Sequence, residues 1–332
     1  MSIDWRTKRV LVTGAGGFIG SHLVEHLLER GAKVRAMVHY DCRPGVGNLD
    51  YCPKPVRDST EIIAGDVCDP YFMLHAVEGV QVVFHLAALI GIPYSYVAPA
   101  SYAAVNLQGT ISVLEACRRA GVERVVHTST SECYGTARYT PIDEQHPLQG
   151  QSPYSASKIA ADKMAEAYHC SFGLPVSTLR PFNTFGPRQS SRAIIPTIAG
   201  QLLWGGPELR LGSLEPVRDF TYVSDTCEGF CRLAECDAAI GQLVHLGTGH
   251  AVTVGDLVKV LFEITGRTKP VIQTAERKRP QKSEVFTLLS NPGRARELLG
   301  WEPRVSLRAG LERVIAFVKE HPKLYQGEAY AI

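Results

Sequence analysis

No stretch of the chain reaches the roughly 18 uninterrupted apolar residues that a membrane-spanning helix needs, and residues 1–8 carry no apolar signal region. Neither a membrane span nor secretion is expected, which leaves the cytoplasm as the compartment. Surplus charge is also lacking: 35 Lys and Arg against 33 Asp and Glu leave a net charge of +2. That balance gives no electrostatic case for nucleic acid, so any anionic ligand must be held by a local cluster. The 9 cysteines are an odd, scattered set rather than a disulfide framework, and reduced, mostly buried thiols are expected. Cys227 and Cys231 fall at helical spacing with Cys236 behind them, but no second pair completes a four-ligand zinc site, so no metal is expected. Internal repeats and low-complexity segments are absent as well.

What the chain has is length and alternation. At 332 residues it can bury a large core and suggests two structural units at about 150 residues each. Short β-branched runs at 9–13, 33–39, 61–64, 80–86 and 125–129 are interleaved with helical patterns at 19–30, 102–120 and 155–171. Such alternation predicts an α/β fold with a doubly wound parallel sheet covered on both faces, whose ligands bind at the carboxyl ends of the strands. Beyond the run at 176–179 the regularity breaks, proline and glycine become frequent, and helices at 254–265 and 307–319 are separated by basic loops. Residues 1–179 are therefore expected to form mainly a dinucleotide-binding unit. Residues 180–332 are expected to form mainly a smaller substrate-binding unit, with some segments returning to the sheet.

The first strand runs into Gly14-Ala15-Gly16-Gly17-Phe18-Ile19-Gly20, directly ahead of a helical pattern. Glycines at 14, 17 and 20 permit a tight turn and close backbone approach to a pyrophosphate, which the free amides and dipole of the helix N-terminus then hold. In this strand-to-helix context the spacing predicts an NAD or NADP site of Rossmann type. The second strand ends Val38-His39-Tyr40-Asp41, with the usual ribose-binding acid displaced. Asp41 is placed for a ribose hydroxyl, whereas His39 and Arg43 are placed for a 2′-phosphate, and both cofactors stay open. Asp66, at the end of the third strand, is expected either to meet the adenine edge together with the Val67 amide or to cap a helix.

Tyr154 and Lys158 stand at i, i+4, on one face of a helix. A nearby ammonium favours phenolate, so Lys158 is expected to lower the Tyr154 pKa and make it a base for a sugar hydroxyl, while also holding the nicotinamide ribose. Upstream, Val125-Val126-His127-Thr128-Ser129-Thr130-Ser131-Glu132-Cys133-Tyr134-Gly135 ends a strand in hydroxyls and one carboxylate. The glycine turn, this strand end and the Tyr/Lys pair together resemble the extended short-chain dehydrogenase/reductase family of nucleotide-sugar epimerases and dehydratases. The likeness covers nearly the whole chain, including Asn106 and the segment Arg180-Pro181-Phe182-Asn183-Thr184-Phe185-Gly186-Pro187-Arg188. It implies a bound NAD(P), touched by Phe18, Ile19, Leu86, Ala87, Ala88 and Asn106 as well as by the glycines. It also implies a nucleotide-diphosphate sugar as substrate, and a homodimer paired through helices such as those at 102–120 and 155–171.

Within that family the residues before the Tyr-Gly of the strand end separate the chemistries. Epimerases place small or neutral residues there, and 4,6-dehydratases a glutamate, preceded by Asp in the glucose enzymes and by Ser in the GDP-mannose enzymes. Here the pair is Ser131-Glu132. The resemblance implies that Thr130 bonds the C4 oxygen beside Tyr154 and that Glu132 removes the C5 proton. Ser131 stands where some relatives have the acid, so the donor to the departing C6 hydroxyl is open between Glu132 and a water. A narrower likeness, through 86–96, 127–132 and 212–220, is to the dehydratases for nucleotide-linked N-acetylglucosamine of legionaminic-acid-type pathways. Leu89-Ile90-Gly91-Ile92 then reads either as an apolar lining for an acetamido methyl, with Ile90 and Tyr94 at the substrate, or as a loop packed under the cofactor. For the diphosphate, arginines are the apt residues, and Arg188, Arg192, Arg210, Arg218 and Arg279 are the candidates. By resemblance Asn183 and Arg218 line it and the region of Arg279 closes over it. The nucleotide base is not legible. The expected activity is an NAD(P)-dependent nucleotide-sugar 4,6-dehydratase. The alternatives are a 4-epimerase of the same fold, needing only Thr130, Tyr154 and Lys158, and a non-catalytic dinucleotide sensor, against which the intact Tyr/Lys pair argues.

Overall fold

The computed structural model of the chain describes residues 3–41, 45–274 and 280–326. Seven strands form its central sheet: β1 (Arg9–Thr13), β2 (Lys33–His39), β3 (Glu61–Gly65), β4 (Val82–His85), β5 (Arg124–Thr128), β6 (Val176–Pro181) and β7 (Leu243–Leu246). Their spatial order is 7-6-5-4-1-2-3, and every neighbouring pair is parallel. The apolar β-branched content explains this, because strands buried on both faces need side chains that pack in each direction. The order reverses between β1 and β4, which makes the ends of those strands the crevice for a ligand.

The helices that position functional residues have clear local causes. Helix Phe18–Glu29 starts directly after the glycine turn. Helix Pro153–Phe172 is started by a capping box, in which the Ser152 hydroxyl accepts from the Ser155 amide (3.1 Å) and the Ser155 hydroxyl accepts from the Ser152 amide (3.0 Å). Pro153 at its first position and left-handed Gly173 after its last turn complete the signals. The helix expected at 102–120 is instead three pieces, Pro99–Tyr102, a π-helical turn at Ala103–Gln108, and Gly109–Ala120. The wider turn coincides with Asn106, whose buried carboxamide serves the backbone of Leu89.

The second half builds small sheets beside the main one. Asn183–Phe185 pairs with Phe220–Tyr222, and Val217–Arg218 lies between Val252–Thr253 and Thr287–Leu288. Helices Ile194–Trp204, Val254–Thr265 and Leu307–Glu320 pack around them. One apolar core runs from Val10 and Leu23 through Leu179 and Phe230 to Leu311, so both halves share it. Cys227 and Cys231 lie buried in helix Val223–Glu235, and burial pushes both thiols up. Among the described residues no helix is long and apolar enough to cross a membrane, and no group of three or more His, Cys, Asp or Glu is arranged to hold a metal ion.

Candidate active site

A single cleft of about 1320 Å³ runs along the carboxyl ends of β1, β2, β4 and β5 and into the second half. At its floor Gly14 adopts a left-handed backbone (φ 70°), and a Cβ there would meet the Ala87 amide nitrogen at 2.8 Å. A Cβ on Gly20 would run into the Gly14 carbonyl oxygen. Gly17 caps helix Phe18–Glu29 without any side-chain bond, which leaves the first-turn amides for a ligand. These features fit the pyrophosphate of a dinucleotide.

Around this floor stand the side chains expected at a cofactor. Phe18, Ile19, His39, Asp41, Asp66, Val67, Leu86, Ala87 and Ala88 all line the cleft. The Asp66 carboxylate accepts the Cys68 amide (2.9 Å), whereas the cap of the following helix is Asp69, which accepts from Tyr71 and Phe72. The capping role considered for Asp66 therefore belongs to Asp69. Arg43 lies outside the described residues. Asn106 does not line the cleft: buried, it accepts the Leu89 amide (2.8 Å) and donates to the Leu89 carbonyl and the Ser157 hydroxyl. It joins the loop after β4 to the Tyr154 helix instead of touching a cofactor.

The reactive groups meet at the end of β5. Thr130 caps the turn Ser131–Tyr134, accepting the Glu132 amide (3.3 Å), and its hydroxyl acts on the Tyr154 phenol to favour the ionised form, an effect that burial outweighs. Glu132, half-buried, lines the cleft together with Thr130, Tyr154 and Lys158. Ser131 is buried and is not among the residues that line it. The ring of Tyr102 stands edge-on to that of Tyr154, with centroids 6.2 Å apart, and its hydroxyl donates to the Gly91 carbonyl. The electrostatics differ from the sequence expectation. Burial pushes the Tyr154 phenol up, with Cys133 and the Glu132 and Asp162 carboxylates acting in the same direction. The Lys158 ammonium, itself held below the ordinary lysine range by burial, donates to the Thr128 carbonyl (2.6 Å). The lysine faces backbone, and burial favours the protonated phenol.

Toward the second half, the apolar Leu89, Ile90 and Ile92 line the cleft together with Tyr94, Asn183, Arg192 and Arg218. The buried Arg218 donates to the Val217 and Phe286 carbonyls (3.0 and 3.3 Å) and lies 4.0 Å from Glu284, a cleft carboxylate for which the sequence offers no signal. Arg192 stands beside Gly91 and Tyr102. Arg188 is elsewhere. Its guanidinium is buried against Glu25, His22 and Cys52, outside the cleft. Arg210 borders a separate hollow near Trp204 and pairs with Glu208. Arg279 lies outside the described residues. Missed by the sequence reading is the cleft-lining segment 45–48, whose Asn48 backbone amide donates to the Gly16 carbonyl (2.8 Å).

Comparison with known proteins places this site in context. The family model described as GDP-mannose 4,6 dehydratase matches residues 11–314. A Bacillus subtilis protein named as an uncharacterized UDP-glucose epimerase, YtcB, is 32% identical, covering 96% of this chain and 100% of its own. A dTDP-glucose 4,6-dehydratase of an Actinoplanes species is also 32% identical, covering 94% and 98%. Among solved structures, DesIV, a dTDP-glucose 4,6-dehydratase of Streptomyces venezuelae with NAD bound, superposes with a TM-score of 0.87 at 30% identity, over 96% of this chain and 99% of that one.

Proposed function

Because the chain belongs to the NAD-dependent epimerase/dehydratase family of the short-chain dehydrogenase fold, we propose that it is a nucleotide-sugar 4,6-dehydratase acting on UDP- or GDP-linked N-acetylglucosamine. One observation carries the choice: Glu132, on the turn capped by Thr130, lines the same cleft as Thr130, Tyr154 and Lys158. Bound NAD supplies a hydride acceptor for C4 and later a hydride donor for C6. Thr130 orients the C4 oxygen, and Tyr154 takes the hydroxyl proton, which requires the charge of Lys158 to face the phenol. Once C4 is a ketone, the C5 proton is acidic and Glu132 removes it as the C6–oxygen bond breaks. With Ser131 buried, Glu132 is also the group that returns a proton to the departing hydroxyl. The apolar segment Leu89–Ile92 suits an acetamido methyl, while Asn183 and Arg218, which also line the cleft, hold the diphosphate. The reading includes a cytoplasmic homodimer paired through helices Gly109–Ala120 and Pro153–Phe172, and it is supported by the exposed Phe172 ring at the end of the second.

A 4-epimerase would use Thr130, Tyr154 and Lys158 and leave Glu132 idle. Incubation with UDP- and GDP-N-acetylglucosamine separates the two, because dehydration lowers the sugar-nucleotide mass by about 18 Da and epimerisation leaves it unchanged. In Glu132→Gln, C4 oxidation should survive while elimination slows by about 10²- to 10⁴-fold, so that reduced nicotinamide accumulates and shows in the absorbance spectrum. An isomeric product from the wild-type protein, or wild-type turnover of Glu132→Gln, overturns the assignment.

A further inference from the structure

One turn beyond Lys158, the same face of the catalytic helix carries a second set of polar groups, buried behind the cleft. Asp162 lies one helical turn beyond Lys158 and is buried. Its carboxylate accepts the His127 ring N–H (3.0 Å), the Ser129 hydroxyl (2.5 Å) and the Arg180 guanidinium (2.6 Å), and Arg180 also donates to the Ser129 oxygen (3.0 Å). All three partners belong to the ends of β5 and β6, and Thr130 follows Ser129 directly. We propose that Asp162 is a positioning residue of the active site: it bolts the strand end bearing Thr130 to the helix bearing Tyr154 and Lys158, and it is the counter-ion of the Lys158 ammonium. The inference rests on the Tyr154/Lys158 reading above.

The charges that surround Lys158 come from several elements. Its own helix supplies Tyr154 and Asp162, β4 supplies His85, β5 supplies His127, β6 supplies Arg180, and the turn after β5 supplies Cys133. Burial holds both imidazoles below the ordinary histidine range and pushes the Cys133 thiol up to about 12, so these three are neutral. Arg180 thus pairs directly with the Asp162 carboxylate (2.6 Å), and Lys158, one helical turn away, is acted on by the same charge. Without Asp162, Lys158 would face Arg180 unscreened in a dry interior, where an ammonium is readily lost. Ser129 would lose its acceptor, and with it the register that lets Thr130 reach Tyr154.

Asp162→Asn keeps the shape and removes the charge, and Asp162→Asn combined with Arg180→Met removes both partners of the closest ion pair, so the Arg180 guanidinium is not left stranded if the single variant fails to fold. In the holoenzyme labelled with ¹⁵N-lysine, the Lys158 Nζ resonance, assigned by its loss in Lys158→Met, is titrated. In Asp162→Asn it should lose its proton about one pH unit lower than in the wild type, with the double variant between the two. Hydride transfer from UDP- or GDP-N-acetylglucosamine to bound NAD should slow by about tenfold or more, as when a group behind a reactive one is lost. Both limbs of its pH profile should move acidward, because a carboxylate that favours ammonium also disfavours phenolate. A purely structural Asp162 would lower the plateau and leave the limbs in place. A Lys158 titration unmoved in both variants overturns the proposal. Full activity in Tyr154→Phe, by contrast, would overturn the functional reading and leave the lysine titration standing.

Discussion

Arg188→Met tests whether an arginine that looks like a diphosphate ligand in the sequence is structural. Arg188 holds a left-handed backbone (φ 67°), its carbonyl accepts the Asn48 side-chain amide (3.0 Å), and its guanidinium bonds His22 (2.6 Å) and Glu25. Breaking a buried pair from one side typically destabilises by about 3–5 kcal/mol, because the remaining charge is stranded. Here the Glu25 side chain is 20% exposed and that of Arg188 only 5%. Glu25 can therefore recover part of its hydration, and Met keeps the packing of the aliphatic stem, which places the loss at about 2–3 kcal/mol. Urea unfolding of wild type, Arg188→Met, Glu25→Gln and the double variant should give that loss for the first, with a double-variant loss clearly smaller than the sum of the singles. The KM for the sugar nucleotide should stay within about twofold, since no interaction with substrate is removed. A tenfold rise in KM with an unmoved urea midpoint would show that Arg188 reaches the substrate and that its burial has been misjudged.

Two further outcomes follow from the same geometry. Gly14→Ala should weaken NAD binding by at least about tenfold by fluorescence titration, since a non-glycine residue at φ 70° is strained by roughly 1–2 kcal/mol and its Cβ displaces the Ala87 backbone; undiminished affinity refutes the close approach. Burial and the neighbouring Arg188 hold His22 down to about 3, below its ordinary 6.5, so the unfolded chain binds this proton first and stability falls as pH drops through that window. The loss is about 1.4 kcal/mol per pH unit from this group, and His22→Gln should flatten the acid limb of a stability–pH curve by that amount; an unchanged slope contradicts the assignment.

Legibility in the sequence followed the range of the interactions concerned. The glycine turn and the Tyr154/Lys158 pair were readable because their geometry is set within seven residues of chain by local rules. The parallel sheet was readable because β-branched runs alternate with helical patterns. Arg188 was misjudged because its partner, Glu25, lies 163 residues away, and composition marks only that an arginine is present. Asn106 and Ser131 failed in the same way, since whether a polar side chain faces ligand or backbone is fixed by packing. The sign of the Tyr154 shift required knowing how deeply the phenol is buried, which outweighs the i, i+4 charge. Asp162 had a usable signal, the same spacing from Lys158 that Lys158 has from Tyr154, and it went unread because an acid on a long helix usually faces water.

The strand Leu243–Leu246 lies far along the chain yet completes the nucleotide-binding sheet beyond β6, with the His245 imidazole meeting the Tyr134 hydroxyl (2.5 Å). Tyr134 closes the very turn that presents Glu132. The fold is therefore laced rather than beaded: a recombined protein that took its first 180 residues from this chain and the remainder from a relative would inherit a foreign outer strand, and with it a foreign brace under the turn that carries Glu132.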